Sequence, residues 1–139
     1  ILEIGSGLKK RNASAVEIFS KAREFQQTDV DVNLGYKILD LTNIESFNKE
    51  YDLVICTNVL EHIYDVRTAV KNLYKLVKKE GNLIISVPFM YPLHDEPEDF
   101  WRFTEHSLKK LFENFEIITL KKTGLRQLPL QYIMHLKKL

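Results

Sequence analysis

Acidic, amide and histidine side chains recur where the short apolar runs of this chain stop. Glu3 sits in "ILEIGSG" ahead of Gly5, Ser6 and Gly7; Asp29 follows "QQT"; Asp40 and Leu41 lie in "KILDL". Asn58 and Val59 end "YDLVICTNV", with Glu61 and His62 just beyond. A later stretch, "HDEPEDFWRFT" (94–104), gathers His94, Asp95, Asp99, Trp101 and Arg102. Carboxylates and carbonyls suit hydroxyls and a cation, whereas several phosphates would need Lys, Arg or a dense amide cradle. Histidine titrates near neutral pH, so His62 and His94 suit proton transfer, followed by carboxylates such as Asp99.

Two nucleotide fingerprints are excluded directly. No G-x-x-x-x-G-K-[ST] sequence is present. A dinucleotide turn of the form G-x-G-x-x-G would need glycine where Lys10 stands, so helix and strand lose their close packing. Asp29 remains suited to accept both hydroxyls of a ribose. A nucleoside without phosphates fits these residues better than NAD does.

Positioning such groups calls for strands that end along one edge. "ILEI" predicts a buried strand, "REFQQTDV" a second ending at Asp29, and "YKILDL" a third ending at Asp40. "YDLVICTNV" and "NLIISVPF" are near-continuous branched-aliphatic runs suited to a sheet covered on both faces. Helices are expected over 12–25, over 65–81 with Asp65 as N-cap and Gly81 as stop, and over 104–115 with Thr104 as cap. "FEIITLKK" alternates like an edge strand, and "LPLQYIMHLKKL" suits either a helix or a last antiparallel strand. The alternation of strands and helices predicts an α/β domain with a mainly parallel sheet. In such a sheet, ligands bind beyond the carboxyl ends of the strands, which is where the residues above fall.

The 139 residues, 45% of them hydrophobic, predict a single domain over 1–139, and a net charge of +1 offers no strong basic field for nucleic acid. The lone Cys56 lies in an apolar run, which excludes a disulfide framework and reads as a small buried hydrophobe. No signal peptide is visible, and "LIISVPFMYPL" is short and broken by prolines, so no transmembrane segment and a cytoplasmic location are expected. The first residue already lies inside a strand pattern, so a leading helix is expected to be missing. Oligomeric state is left open.

Taken in order, "ILEIGSG", "QQTDV", "KILDLTNI", "YDLVICTNVLEHI", "LVKKEGNLIISVP" and "HDEPEDFWRFT" resemble successive motifs of class I S-adenosylmethionine-dependent methyltransferases. The branch with the "VLEH" signature, the type 11 methyltransferase domain, is the most similar. The resemblance implies a three-layer α/β sandwich around the mainly parallel, seven-stranded, Rossmann-like methyltransferase sheet. S-adenosylmethionine is the implied cofactor. Glu3, Gly5, Ser6 and Gly7 would line its methionine part, and Asp29 would take the ribose hydroxyls. Asp40 and the Leu41 backbone would meet adenine, while Asn58 and Val59 would close over the sulfonium. In some relatives a carboxylate, this Glu, this His and a later His hold a divalent metal. Asn58 stands at that carboxylate's position here, so no metal is expected; Glu61 then caps or pairs near a helix start and His62 packs beside the sheet.

The implied reaction is methyl transfer to an oxygen or nitrogen of a small-molecule acceptor, with His62, His94 and Asp99 as catalytic candidates. The plainer reading of the loop is an Arg102 ion pair with Asp99 or Glu98 and a Trp101 that packs it down. No Asn-Pro-Pro-Tyr-type sequence follows the fourth strand, which argues against base-amine methylation of DNA. Rival readings are a cofactor-binding but inactive partner domain, a nicotinamide oxidoreductase, and a membrane-surface or oligomer module led by the tail.

Overall fold

The structure is a computed structural model that describes residues 1–8 and 15–139. Seven strands form one sheet: β1 (Leu2–Ile4), β2 (Gln26–Asp29), β3 (Lys37–Ile38), β4 (Tyr51–Thr57), β5 (Val77–Pro88), β6 (Glu116–Gly124) and β7 (Pro129–Lys137). Their order across the sheet is β3-β2-β1-β4-β5-β7-β6. The first five run parallel, and β7 lies antiparallel between β5 and β6. Strand order reverses between β1 and β4, so the carboxyl ends of β1, β2 and β4 meet at a switch point.

Three helices are described: α1 (Ala15–Ile18), α2 (Val66–Leu76) and α3 (Glu105–Leu111). Ala69, Val70, Leu73 and Leu76 form the buried stripe of α2, which packs on β4 and β5. Asp65 caps its start by accepting the Thr68 N–H at 3.1 Å. A reciprocal capping box joins Thr104 and Ser107 at the start of α3. One core cluster runs through Leu2, Val54, Leu73, Leu83, Leu108, Phe112, Met134 and Leu136. Each such side chain stabilises the fold by about 1.5–3 kcal/mol through burial.

The expected helix over 12–25 begins partly outside the described residues, and its second half is not helical. Within α1, Ile18 is exposed and no described side chain is buried, so the segment lacks the buried apolar stripe that carries longer helices. The third strand is two residues long instead of reaching Asp40, because the Asp40 carboxylate accepts the Thr42 N–H and bends the chain. The helix expected to reach Gly81 stops at Leu76. Val77 is fully buried and pairs with Tyr51, pulling the chain into β5 before its irregular stretch at Lys78–Gly81. The helix expected over 104–115 likewise ends at Leu111.

The tail is a strand. Tyr132, Met134 and Leu136 are buried at every second position, the period of a pleated face. β7 is hydrogen-bonded on both sides, so the tail is part of the sheet rather than a free segment. No described helix is long and apolar enough to cross a membrane.

Candidate active site at the carboxyl edge of the sheet

The turn after β1 is built on Gly5 and Gly7, whose φ angles are 70° and 62°. An added Cβ on Gly5 would lie 2.3 Å from Val59 Cγ2, so the missing side chain makes room for Val59. The glycine turn and the end of β4 are thereby held in contact. Asn58 follows β4 at φ 53°, donates its N–H to Ser86 O at 2.9 Å, and accepts from Ser86 Oγ at 3.2 Å.

Carboxylates tie β1 to β2. Glu3 Oε2 accepts from Ser6 Oγ at 3.1 Å and from Gln27 Nε2 at 2.9 Å. Asp29, buried at the tip of β2, accepts the Gly7 N–H on Oδ2 at 2.9 Å and the Asp31 N–H on Oδ1 at 3.0 Å. Each carboxylate oxygen keeps a second acceptor direction, so these bonds position Asp29 without exhausting it. Asp40 is exposed; its Oδ1 takes both the Thr42 N–H and hydroxyl at 2.7 Å, a turn-capping arrangement. Leu41 is buried, and its carbonyl accepts from Asn72 Nδ2 at 2.8 Å.

A second cluster follows Val59. Residues Leu60–His62 form a short 3-10 turn that places Glu61 inward and fully buried, with no hydrogen-bond partner on either carboxylate oxygen. Burial pushes its carboxyl above the usual range. His62 Nε2 and His94 Nε2 each stand 3.9 Å from Glu61 Oε1. The two imidazoles meet edge to face with ring centres 4.7 Å apart.

The loop after β5 is locked onto this cluster. Phe100 and Trp101 both donate their backbone N–H to Glu61 O, at 2.9 and 3.1 Å. Trp101 Nε1 donates to Ile63 O at 3.0 Å, and its ring stacks on Tyr64. Arg102 grips Asp99 through two nitrogens at 2.6 and 2.8 Å and reaches the carbonyls of Tyr91 and Pro92. The Arg102 hydrogen bonds hold the Asp99 carboxyl well below the usual carboxylate range. Asp99 also accepts the His94 N–H at 3.0 Å and lies 3.3 Å from His94 Nδ1. With its side chain only 1% exposed, Asp99 holds the loop and His94.

Glu3, Gly5, Ser6, Gly7, Asp29, Asn58 and Val59 thus converge on one edge, and Asp40 and Leu41 lie beyond β3 on the same side. His62 and His94, 32 positions apart, come together around Glu61. That carboxylate was expected to cap or pair near a helix start; it is instead buried without a hydrogen bond, 3.9 Å from both histidines. The signal for it was thin: one acid between Leu60 and His62. Lys10, which decided against the dinucleotide turn, lies outside the described residues. Cys56 is fully buried, as its apolar neighbours imply, and burial raises its thiol pKa.

A sheet of this order with β7 reversed between β5 and β6 is the fold of class I S-adenosylmethionine-dependent methyltransferases. A methyltransferase-domain family model matches residues 2–120, and the chain belongs to that family. Polyketide synthase ThaQ of Burkholderia thailandensis is 36% identical over 84 residues, covering 54% of this chain and 4% of that protein. A ubiquinone biosynthesis O-methyltransferase of Rickettsia bellii is 36% identical over 59 residues, covering 42% of this chain and 24% of the relative. A tRNA U34 carboxymethyltransferase of Sulfurimonas denitrificans is 29% identical over 68 residues, covering 49% and 23%. The chain therefore spans a quarter or less of the length of these curated relatives. Among solved structures, N-methyltransferase NodS of Bradyrhizobium japonicum superposes with a TM-score of 0.75 at 16% identity, covering 99% of this chain and 84% of that one. NodS is also known in complex with S-adenosyl-L-homocysteine, and that structure superposes with a TM-score of 0.71 at 15% identity, covering 99% and 76%.

Proposed function

We propose that this chain is the catalytic domain of a methyltransferase that uses S-adenosylmethionine and acts on an oxygen or nitrogen of a small molecule. The observation that carries this reading is the glycine turn packed against Val59 and pinned by Asp29 at the switch point of the sheet. The residues there fit the cofactor's chemistry: carboxylates and carbonyls for a cation and ribose hydroxyls, on a bend with no side chain at Gly5. When bound, the cofactor supplies an electrophilic methyl group on a cationic sulfonium.

Glu3, Gly5, Ser6 and Gly7 hold the methionine portion and Asp29 the ribose, with Asp40 and Leu41 beside the adenine. Asn58 and Val59 wall the reacting side. The protein's main work in an in-line displacement is alignment of donor and nucleophile. His62 and His94 stand on the acceptor side and take up the acceptor's proton, while Asp99 positions His94. The near-balanced charge of the chain supports a small acceptor over a nucleic acid, and the "VLEH" sequence supports the type 11 branch.

Turnover of S-adenosylmethionine to S-adenosylhomocysteine over a panel of phenols, sugars, amines and tRNA tests this reading. Activity with small hydroxyl or amine acceptors is expected. Activity confined to tRNA, or none with any acceptor while the cofactor binds, would overturn the acceptor assignment.

A further inference from the structure

We propose that Glu61, His62 and His94 form a binding site for a divalent first-row transition ion, with two imidazole Nε2 atoms and one carboxylate oxygen as ligands. One atom from each residue lies within 4.8 Å of the others. Metal–nitrogen and metal–oxygen distances of about 2.0–2.2 Å put tetrahedral ligands roughly 3.3–3.5 Å apart. Small side-chain rotations would draw the 3.9 Å separations down to that spacing.

The protein has left this carboxylate without any other answer. Glu61 is fully buried, neither oxygen has a hydrogen-bond partner, and 3.9 Å is too long for one to either histidine. The imidazoles are turned the same way. His62 Nδ1 lies 2.8 Å from Glu98 O and His94 Nδ1 lies 3.1 Å from Pro92 O. A carbonyl only accepts, so each Nδ1 carries hydrogen, which leaves Nε2, the atom turned toward Glu61, as the ring position a metal would take. Three possible ligand atoms thus face one point, an arrangement that a bound cation would satisfy. The Asp99–Arg102 pair supplies outer support, since Asp99 holds the His94 backbone and Arg102 holds the carbonyl of Pro92.

The ligand types choose the ion. Two imidazoles and one carboxylate suit zinc, cobalt, manganese or iron, whereas magnesium and calcium prefer oxygen sets. Asn58 stays with Ser86 and does not complete an oxygen-rich shell. Three protein ligands leave room for an oxygen of another molecule. On the methyltransferase reading, that oxygen would be the acceptor's, and a bound ion would ease loss of its proton; His62 and His94 serve as bases only where no ion is bound. Ion binding itself does not depend on that reading.

The test is titration of chelator-treated full-length protein with cobalt(II), read by visible d–d absorption, then displacement with zinc. One equivalent is expected, with affinity falling at least about 10–100-fold in His62→Ala, His94→Ala and Glu61→Gln, the range for disturbing even a metal's outer partners. His135→Ala, whose ring meets Asn82 on β5, should bind like wild type. Circular dichroism checks each fold, and if Glu61→Gln does not fold, the two histidine variants decide. No cobalt band, or a band unchanged in folded His62→Ala and His94→Ala, would overturn the proposal. S-adenosylhomocysteine calorimetry on the same samples separates loss of the ion site from failure of the cofactor assignment.

Discussion

Replacing Gly5 by alanine perturbs the turn on which the cofactor assignment rests. Gly5 lies at φ 70°, where an L-residue pays about 1–2 kcal/mol. Its new Cβ would fall 2.3 Å from Val59 Cγ2, a separation that real atoms do not tolerate. The cheapest relief is to push Val59 off its rotamer, adding about 0.5–1.5 kcal/mol. Gly5→Ala should therefore lower unfolding free energy by roughly 1.5–3.5 kcal/mol in urea titrations. Val59→Ala in the same chain removes the clash but not the backbone cost. The double variant should recover only the rotamer share, a coupling of about 0.5–1.5 kcal/mol in a double-mutant cycle. Both Gly5 variants should bind S-adenosylhomocysteine more weakly than their partners that keep glycine. A Gly5→Ala protein with wild-type stability, or additive effects of the two changes, would refute the claim that Val59 occupies the glycine's space.

Asp29→Ala should weaken S-adenosylhomocysteine binding by about 1.5–3 kcal/mol through lost charge-assisted hydrogen bonds, and unchanged affinity by calorimetry would remove the ribose assignment. Thr104→Ala breaks the capping box of α3 and should cost about 1 kcal/mol of stability by urea titration, with little effect on cofactor affinity. Arg102→Ala should release the Asp99 carboxyl toward ordinary values. Because the folded-state pKa of Asp99 is depressed, its stabilisation is present above the unfolded value near about pH 4 and is lost as pH falls. Thermal unfolding from neutral to acid pH should thus fall more steeply for wild type than for Arg102→Ala; parallel profiles would show the pair contributes nothing.

Most strands of the parallel part and the residues at their carboxyl ends were legible because buried parallel strands such as β1, β4 and β5 are largely aliphatic runs closed by small or polar residues. Their arrangement in the sheet came through the family resemblance. Asp29, Asn58 and the glycine turn sit where those runs stop. Element ends were less legible. Leu76 yields to Val77 because sheet pairing with Tyr51 overrides a helical pattern that local sequence continues to Gly81. The tail's two readings separate only when β5 and β6 supply partners on both sides, a tertiary fact. Glu61 was hardest, since an acid after an apolar residue looks the same whether it caps a helix or is buried. Its situation depends on His94, brought in by a loop whose hold on Asp99 and Arg102 leaves only a general charge density in the sequence.

The most direct measurement is isothermal calorimetry of the folded full-length protein with S-adenosylhomocysteine and, separately, with NAD. A phosphate-free adenosyl site at the junction of β1, β2 and β4 predicts one equivalent of S-adenosylhomocysteine bound and no heat with NAD. Saturable binding of NAD with none of S-adenosylhomocysteine would contradict it.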